Sequence, residues 1–445
     1  MPAPLPIHTP IPAQAPRHAP PRVAVGLDFG TSGARVCVID RRERCLFEAS
    51  SSWPRPMQQG CDDWEAALLD LLARVPATLR ASLDALALCA TSGSVLWADR
   101  RLRPVGPVLM YFDRRAQAVG ADLQRADAAT PVEGLARLEW LWRELGPAAL
   151  AGARPMHQAD WLVERLLGRR RAGGATDWHN ALKSGADPSR CAWSPVAAQR
   201  AYAARLPRIV APGTRLGRID PALALALGIS PRLRVLAGTT DANAAFLAAG
   251  ASRAGQALST LGSTLVLKVL SRRRVDAPSC GVYSHRFGSA WLVSGASNAG
   301  AAVLRELFGD QRLRLLSARI DAERDSPLDL YPMAGVGERF PQPDPALQPR
   351  LLPRPTDDAQ YLHGLLQGLA RIEARGYARL AELGAPAPTL VLGSGGGVSN
   401  PAWTRLRERA LGVPVRGAAD TTAAFGAARL ALHGSRVFDT GEQSG

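Results

Sequence analysis

VAVGLDFGTSGARVCVID, residues 23–40, decides how the rest of the chain is read. An apolar run over 23–27 breaks at Asp28-Phe29-Gly30-Thr31-Ser32-Gly33, and strand-like alternation resumes from Arg35 to Asp40. Two strands joined by a short turn rich in glycine and hydroxyls make a β-hairpin. Such a turn presents consecutive backbone N–H groups as a concave anion site, to which Thr31 and Ser32 add hydroxyl donors. Asp28, at the strand end, can orient a hydrated Mg²⁺ beside phosphates, because Mg²⁺ takes carboxylate oxygen and keeps much of its water. A plain tight hairpin needs the same glycines, so this stretch alone fits either reading.

Further along, Ala257–Leu261, Gly262-Ser263-Thr264 and Leu265–Leu270 again spell strand, polar turn, strand. The echo predicts two related domains, 23–250 and 251–435, with Ser263 and Thr264 offering hydroxyls from an opposite wall. Leu83–Ala90 is a further apolar strand ending in Thr91-Ser92-Gly93, and the patterns over 130–146 and 160–168 predict helices. The proline-rich stretch 326–357 predicts a long loop. After it come a helix over 359–383, a buried strand over 389–392, and Gly393-Ser394-Gly395-Gly396-Gly397 opening a helix over 401–411. That glycine run is not G-x-G-x-x-G and lacks the lysine of a phosphate-loop NTPase, so neither nucleotide fingerprint applies. Its glycines instead let backbone lie flat against a planar base, with Asn400 available for a polar contact.

In AGTTDANAAF, residues 237–246, Asp241 stands where a strand gives way to a helix. A carboxylate there can take the proton of an alcohol attacking phosphorus. An isolated Asp in that place is better explained as the helix N-cap. The surrounding phosphate-type turns favour the base.

In that order, the four elements resemble the FGGY carbohydrate kinases of the actin-like superfamily, over about residues 23–432. GLDFGTSGAR and GTTDANAAFLAAGA are most similar to the ribulokinase-like pentulose kinases of plants and cyanobacteria. The resemblance implies an α/β chain of two actin-like (ribonuclease H-like) domains with a cleft between them, the first binding sugar and the second ATP. It implies transfer of the γ-phosphoryl of ATP, with Mg²⁺, to the terminal hydroxyl of a ketopentose, D-ribulose ahead of D-xylulose or another polyol. By the same resemblance Asp241 is the catalytic base, and Asp28, Thr31 and Ser92 join it at the substrate. ATP falls to Gly30, Thr31, Ser32, Gly262, Ser263, Thr264, Gly300, Gly395, Gly396, Gly397 and Asn400. Asp28 acts on the metal through water. YFDRR, residues 111–115, matches a family segment but carries Tyr111 in place of the usual Trp, which weakens Asp113 and Arg115 as sugar ligands. Asp420 stands where many members have Glu. His179 and Lys183 fall in a stretch similar to one near the sugar, yet also read as surface loop residues. Asp160 and Trp161 read as helix start and core.

The composition narrows the alternatives. At 445 residues and 47% hydrophobic content the chain is ordinary globular protein with room for two cores. No apolar run reaches the roughly 20 residues of a membrane span, which points to a soluble protein without a membrane partner. The net charge of +15 comes almost wholly from scattered arginine, Lys183 and Lys268 being the only lysines. Without interleaved aromatics this reads as a solvated surface rather than a nucleic-acid site. None of the six cysteines forms a C-x-x-C pair, as suits a reducing cytoplasm. Residues 1–22, rich in Pro and Ala, predict a disordered extension and 436–445 a tail, and the expected assembly is a monomer or homodimer. An actin-like chaperone or filament ATPase is the reading from another class; Asp241, placed for an alcohol acceptor, speaks against it.

Overall fold

The computed structural model describes residues 23–168 and 174–439. The expected extension 1–22 lies outside them, as does the end of the expected tail, 440–445. Val23–Phe29 (β1) and Gly33–Ile39 (β2) form the expected antiparallel hairpin, and Cys45–Ser52 (β3) extends it. Leu83–Ala90 (β4) runs parallel to β1 on its other side. Arg215–Arg218 (β5) pairs antiparallel with Arg234–Leu236 (β6), β6 lies parallel to β4, and Thr239–Thr240 (β7) continues along the same edge of β4. Every residue of β1 is buried, because a central strand of a covered sheet faces core on both sides.

The second sheet repeats the plan. Gln256–Leu261 (β8) and Leu265–Ser271 (β9) are its hairpin, and Tyr283–Phe287 (β10) and Ala290–Ser297 (β11) extend the antiparallel flank. Leu390–Gly395 (β12) and Val415–Gly417 (β13) lie parallel on the other flank. A hairpin flanked by antiparallel strands on one side and parallel strands on the other thus occurs twice, as the echo of the two Gly turns predicts.

Cys61–Arg74 (α1) and Gln158–Leu167 (α2) cover one face of the first sheet, α2 ending on Gly168 in the left-handed conformation. Trp178–Leu182 (α3) is a short turn of helix, and Asp241–Ala249 (α4) starts directly at the end of β7. Ala301–Ser317 (α5), Asp358–Glu382 (α6) and Pro401–Leu411 (α7) pack on the second sheet. Ala423–His433 (α8) and α4 then supply a third core, in which Ala24 and Ala87 of the first sheet meet Leu258 and Leu292 of the second. Phe438, within the stretch read as a tail, is buried there against Phe287. The helix expected over 130–146 begins at Glu133, since the Thr130 hydroxyl is committed to Asp127 of the preceding turn at 2.6 Å. Residues 326–357 hold no helix or strand beyond isolated bridges.

Two glycines set how closely these layers approach. A Cβ on Gly26 of β1 would stand 2.1 Å from the Ala424 carbonyl of α8, and one on Gly426 of α8 would stand 1.8 Å from the Ala244 carbonyl of α4. Gly426→Ala is therefore expected to cost ~1–3 kcal/mol through backbone displacement, read as a lower urea midpoint. No helix among the described residues is long and apolar enough to cross a membrane.

Candidate active site

The parallel pairing brings three strand ends together. Asp28 lies opposite Cys89 in the β1–β4 register, and Thr239 and Thr240 lie opposite Cys89 and Ala90. Asp28, the loop Thr91–Gly93 after β4, and Asp241 after β7 therefore share the carboxyl edge of one sheet, where open α/β sheets present their ligands.

Asp28 is buried, receives Arg35 at 3.1 Å and the Cys89 thiol at 3.5 Å, and its pKa is raised to about 6. Burial is the main cause; the charge of Asp241 adds to it and Arg35 opposes it. Asp241 is half-buried and occupies the first position of α4, with Thr240 at the N-cap. One of its oxygens accepts the Ala242 N–H at 2.7 Å. Burial also raises its pKa, against the pull of that N–H, of Lys183 and of Lys268. The charge of Asp241 acts on Asp28, so the two carboxylates are within electrostatic reach of one another. Ser92 completes this edge with a buried hydroxyl that has no hydrogen-bond partner, whereas neighbouring Thr91 is occupied by Ser94 at 2.6 Å and Gln158 at 2.8 Å. A buried donor without a partner is costly unless something absent satisfies it.

The first turn is held from behind. Gly30 N–H donates to Gly33 O at 3.0 Å, the Trp53 indole donates to Gly30 O at 2.9 Å, and Gln59 donates to Thr31 O at 3.2 Å. Ser32 is exposed at the tip, and the Thr31 hydroxyl lies 3.1 Å from the Tyr111 hydroxyl. Tyr at position 111 thus makes a contact with the turn that an indole ring would make differently. Asp113 and Arg115 pair with each other and, with Gln59 and Asp63, line a hollow of about 430 Å³ that includes none of Asp28, Ser92 and Asp241.

In the second turn Gly262 N–H donates to Thr264 O at 3.0 Å, and Arg305 of α5 donates to the Ser263 hydroxyl at 3.1 Å. Gly300 presses on this turn, since a Cβ there would stand 2.3 Å from Ser263 O. Gly395, at φ +92, closes on Leu261 in the same way. Neither lines the adjacent cavity. Gly396, Gly397 and Asn400 do line that cavity of about 590 Å³, with Leu304, Arg305 and Ser317 of α5. The volume suits a small-molecule ligand. Asn400 caps α7 through Trp403 N–H at 3.2 Å and donates to Ser317 at 2.9 Å. A larger hollow of about 660 Å³, among Glu65, Arg101 and Arg165, contains none of these residues.

Of the polar residues near this edge, Lys268 and Arg305 escaped the motif reading, while that reading leaves His179 and Lys183 open between the sugar's surroundings and a surface loop. His179 is not a surface residue: it is buried between Thr239 at 2.7 Å and Arg286 O at 2.6 Å, and burial lowers its pKa to about 3, keeping it neutral. Lys268 and Lys183 act on Asp241 from opposite domains, and Arg305 reaches Ser263. Asp160 and Trp161 do serve helix start and core, with Asp160 accepting His157 N–H at 3.0 Å and Trp161 packed against Trp64. Asp420 accepts both the N–H and the hydroxyl of Thr422 at 2.7 Å, ordering the start of α8.

Residues 257–435 match the C-terminal domain model of the FGGY family of carbohydrate kinases. A glycerol kinase of Acidovorax ebreus is 27% identical over 93% of this chain and 91% of its own. A ribulokinase of Shouchella clausii is 29% identical, over 28% of this chain and 24% of its own. A crystal structure of a xyloylose kinase from Brucella ovis superposes with a TM-score of 0.79 at 23% identity, covering 94% of this chain and 92% of that one. That likeness carries the two-domain actin-like fold.

Proposed function

From the premise that this chain is a carbohydrate kinase of the FGGY family, we propose that it phosphorylates the terminal hydroxyl of a ketopentose, D-ribulose before D-xylulose, with Asp241 as base. The premise sets aside the chaperone and filament readings. The observation that carries the proposal is the meeting of Asp28, the unpartnered Ser92 hydroxyl and Asp241 at one sheet edge. In the reaction Asp241 takes the proton of the attacking hydroxyl as the new O–P bond forms and the bond from phosphorus to the leaving oxygen of ADP breaks. Ser92 donates to the sugar. Thr31, Ser32, Ser263 and Thr264 offer hydroxyls to the transferring phosphoryl, while Gly396, Gly397 and Asn400 border the adenosine. Holding donor and acceptor in one dry cleft replaces an encounter in water.

Among the described residues no group of three or more His, Cys, Asp or Glu forms a metal cage. A Mg²⁺ ion arriving with ATP fits that arrangement, because it keeps water and phosphate ligands and asks the protein for about one carboxylate, here Asp28. When bound, it supplies neutralisation of phosphate charge.

The substrate is tested by coupled ADP release over D-ribulose, D-xylulose, glycerol and hexoses. D-ribulose is expected to give the highest kcat/KM. Turnover confined to glycerol, the acceptor named for the Acidovorax relative, or to hexoses would overturn the substrate and leave the kinase.

A further inference from the structure

The chain has 54 basic residues of the Lys and Arg types, and only Lys183 and Lys268 are lysines. Arginine fills surface positions where lysine would serve equally, as in the i,i+4 ion pairs Arg44–Asp40, Arg103–Asp99 and Arg143–Glu139. The charges of both lysines nevertheless act on one side chain, Asp241, lowering its proton affinity. What an ammonium has and a guanidinium lacks is compactness and three freely aimed donors.

Lys268 lies on β9 in the second domain and is 5% exposed. Its Nζ donates to the Ala242 carbonyl at 2.6 Å, crossing to the first turn of α4 immediately after Asp241. Around it lie Asp241, Lys183 and the buried rings of His179 and His285. Lys183 follows α3 in the first domain and is half-buried; its carbonyl accepts Gly134 N–H at 2.7 Å. Its stem runs beside Gly93, 3.7 Å from where a Cβ on that glycine would lie, and Gly93 directly follows Ser92, whose buried hydroxyl has no partner. Its charged and titratable neighbours are Tyr283, Glu133, Asp241 and Arg137.

We propose that the lysines bracket Asp241 from the two domains, Lys268 as a positioning residue that holds the first turn of α4, Lys183 as a donor to an acceptor hydroxyl between Asp241 and Ser92. This rests on Asp241 being the base. Lys268 ties the carboxylate to the wall that carries the second phosphate turn, so that the base and the transferred group keep one geometry. Lys183 reads the sugar and leaves the nucleotide untouched.

The test is steady-state kinetics of Lys183→Met, Lys268→Met and Lys268→Arg, with melting temperatures, beside Asp241→Asn. Lys268→Met is expected to lower kcat by ~10²-fold with both KM values within threefold, as a misplaced catalytic group does. Lys268→Arg should not restore it. Lys183→Met should raise the sugar KM about tenfold or more, with the ATP KM within threefold, the signature of a lost charged hydrogen bond in the ground state. Should either methionine variant be unfolded, lysine-directed reductive methylation of the wild-type enzyme gives a second reading. Saturating sugar is expected to slow both inactivation and labelling of Lys183, and labelling with full activity retained overturns its role. Wild-type kinetics in Lys183→Met and Lys268→Met beside an inactive Asp241→Asn overturns the lysine bracket and leaves the base standing. An active Asp241→Asn removes the base, and this inference with it.

Discussion

Asp241→Asn is expected to lose ~10²–10⁴ in kcat, with the ATP KM little changed and the fold intact. The asparagine amide is nearly isosteric, and its oxygen can still accept the Ala242 N–H that Asp241 accepts at 2.7 Å. What it cannot do is take a proton from the acceptor hydroxyl. The alternative is a carboxylate that only orders the start of α4, for Thr240 at the N-cap makes no side-chain cap hydrogen bond and Asp241 alone accepts the Ala242 N–H. Were Asp241 merely part of the helix start, the substitution would leave turnover near wild type and would alter stability by about 0.5–1 kcal/mol. Steady-state kcat with D-ribulose, set beside urea unfolding, separates the two outcomes cleanly. The residual rate measures what the two phosphate turns contribute by holding the reactants in place.

How far these residues were legible depends on whether their signal is local. Asp28, Thr31 and Ser263 stand in turns whose glycines and hydroxyls announce themselves within six residues, and the repeated hairpin made the duplicated fold readable. Asp241 stands out at a strand-to-helix junction, but alone it reads as an N-cap, and only the phosphate-type turns elsewhere in the chain favour the base. Gly300 and Gly395 were expected beside ATP, and each is packed tightly on backbone, Gly300 on Ser263 and Gly395 on Leu261. A glycine needed for close backbone approach looks, in sequence, like one that touches a ligand, and the 2.3 and 2.4 Å separations establish the first need. His179 illustrates the other failure: its partner Arg286 lies 107 residues away in the second domain, and no local pattern marks a contact made across two domains. Lys268 sits in an apolar strand where its burial could not be foreseen. Its one sequence signal was compositional, the scarcity of lysine in an arginine-rich chain.

Arg407→Met should be the most destabilising single change in the second domain, by ~3–5 kcal/mol. Arg407 of α7 pairs with Glu373 of α6 through two contacts of 2.7 Å, with the carboxylate fully buried and the guanidinium nearly so. Ser259 of β8 adds a 2.5 Å contact to the same carboxylate and bonds Tyr377 at 2.9 Å, so a strand and two helices meet at one charge. Removing the arginine leaves that charge without its counter-ion in a site no solvent reaches, which is why the expected cost exceeds the worth of the pair itself. The double variant Arg407→Met with Glu373→Leu removes both charges and should recover most of the loss, since a buried pair replaced by apolar side chains is often near neutral. The single change also reaches the nucleotide. Arg407 lies over the Trp403 ring at 5.4 Å, and α7 is capped by Asn400, which bridges to Ser317 and lines the 590 Å³ cavity with it. Weaker ADP binding by calorimetry is therefore expected in the single variant and near-normal binding in the double. Loss of ADP binding in both, despite recovered stability in the double, would mean the ion pair shapes the cavity through its charges rather than by anchoring α7.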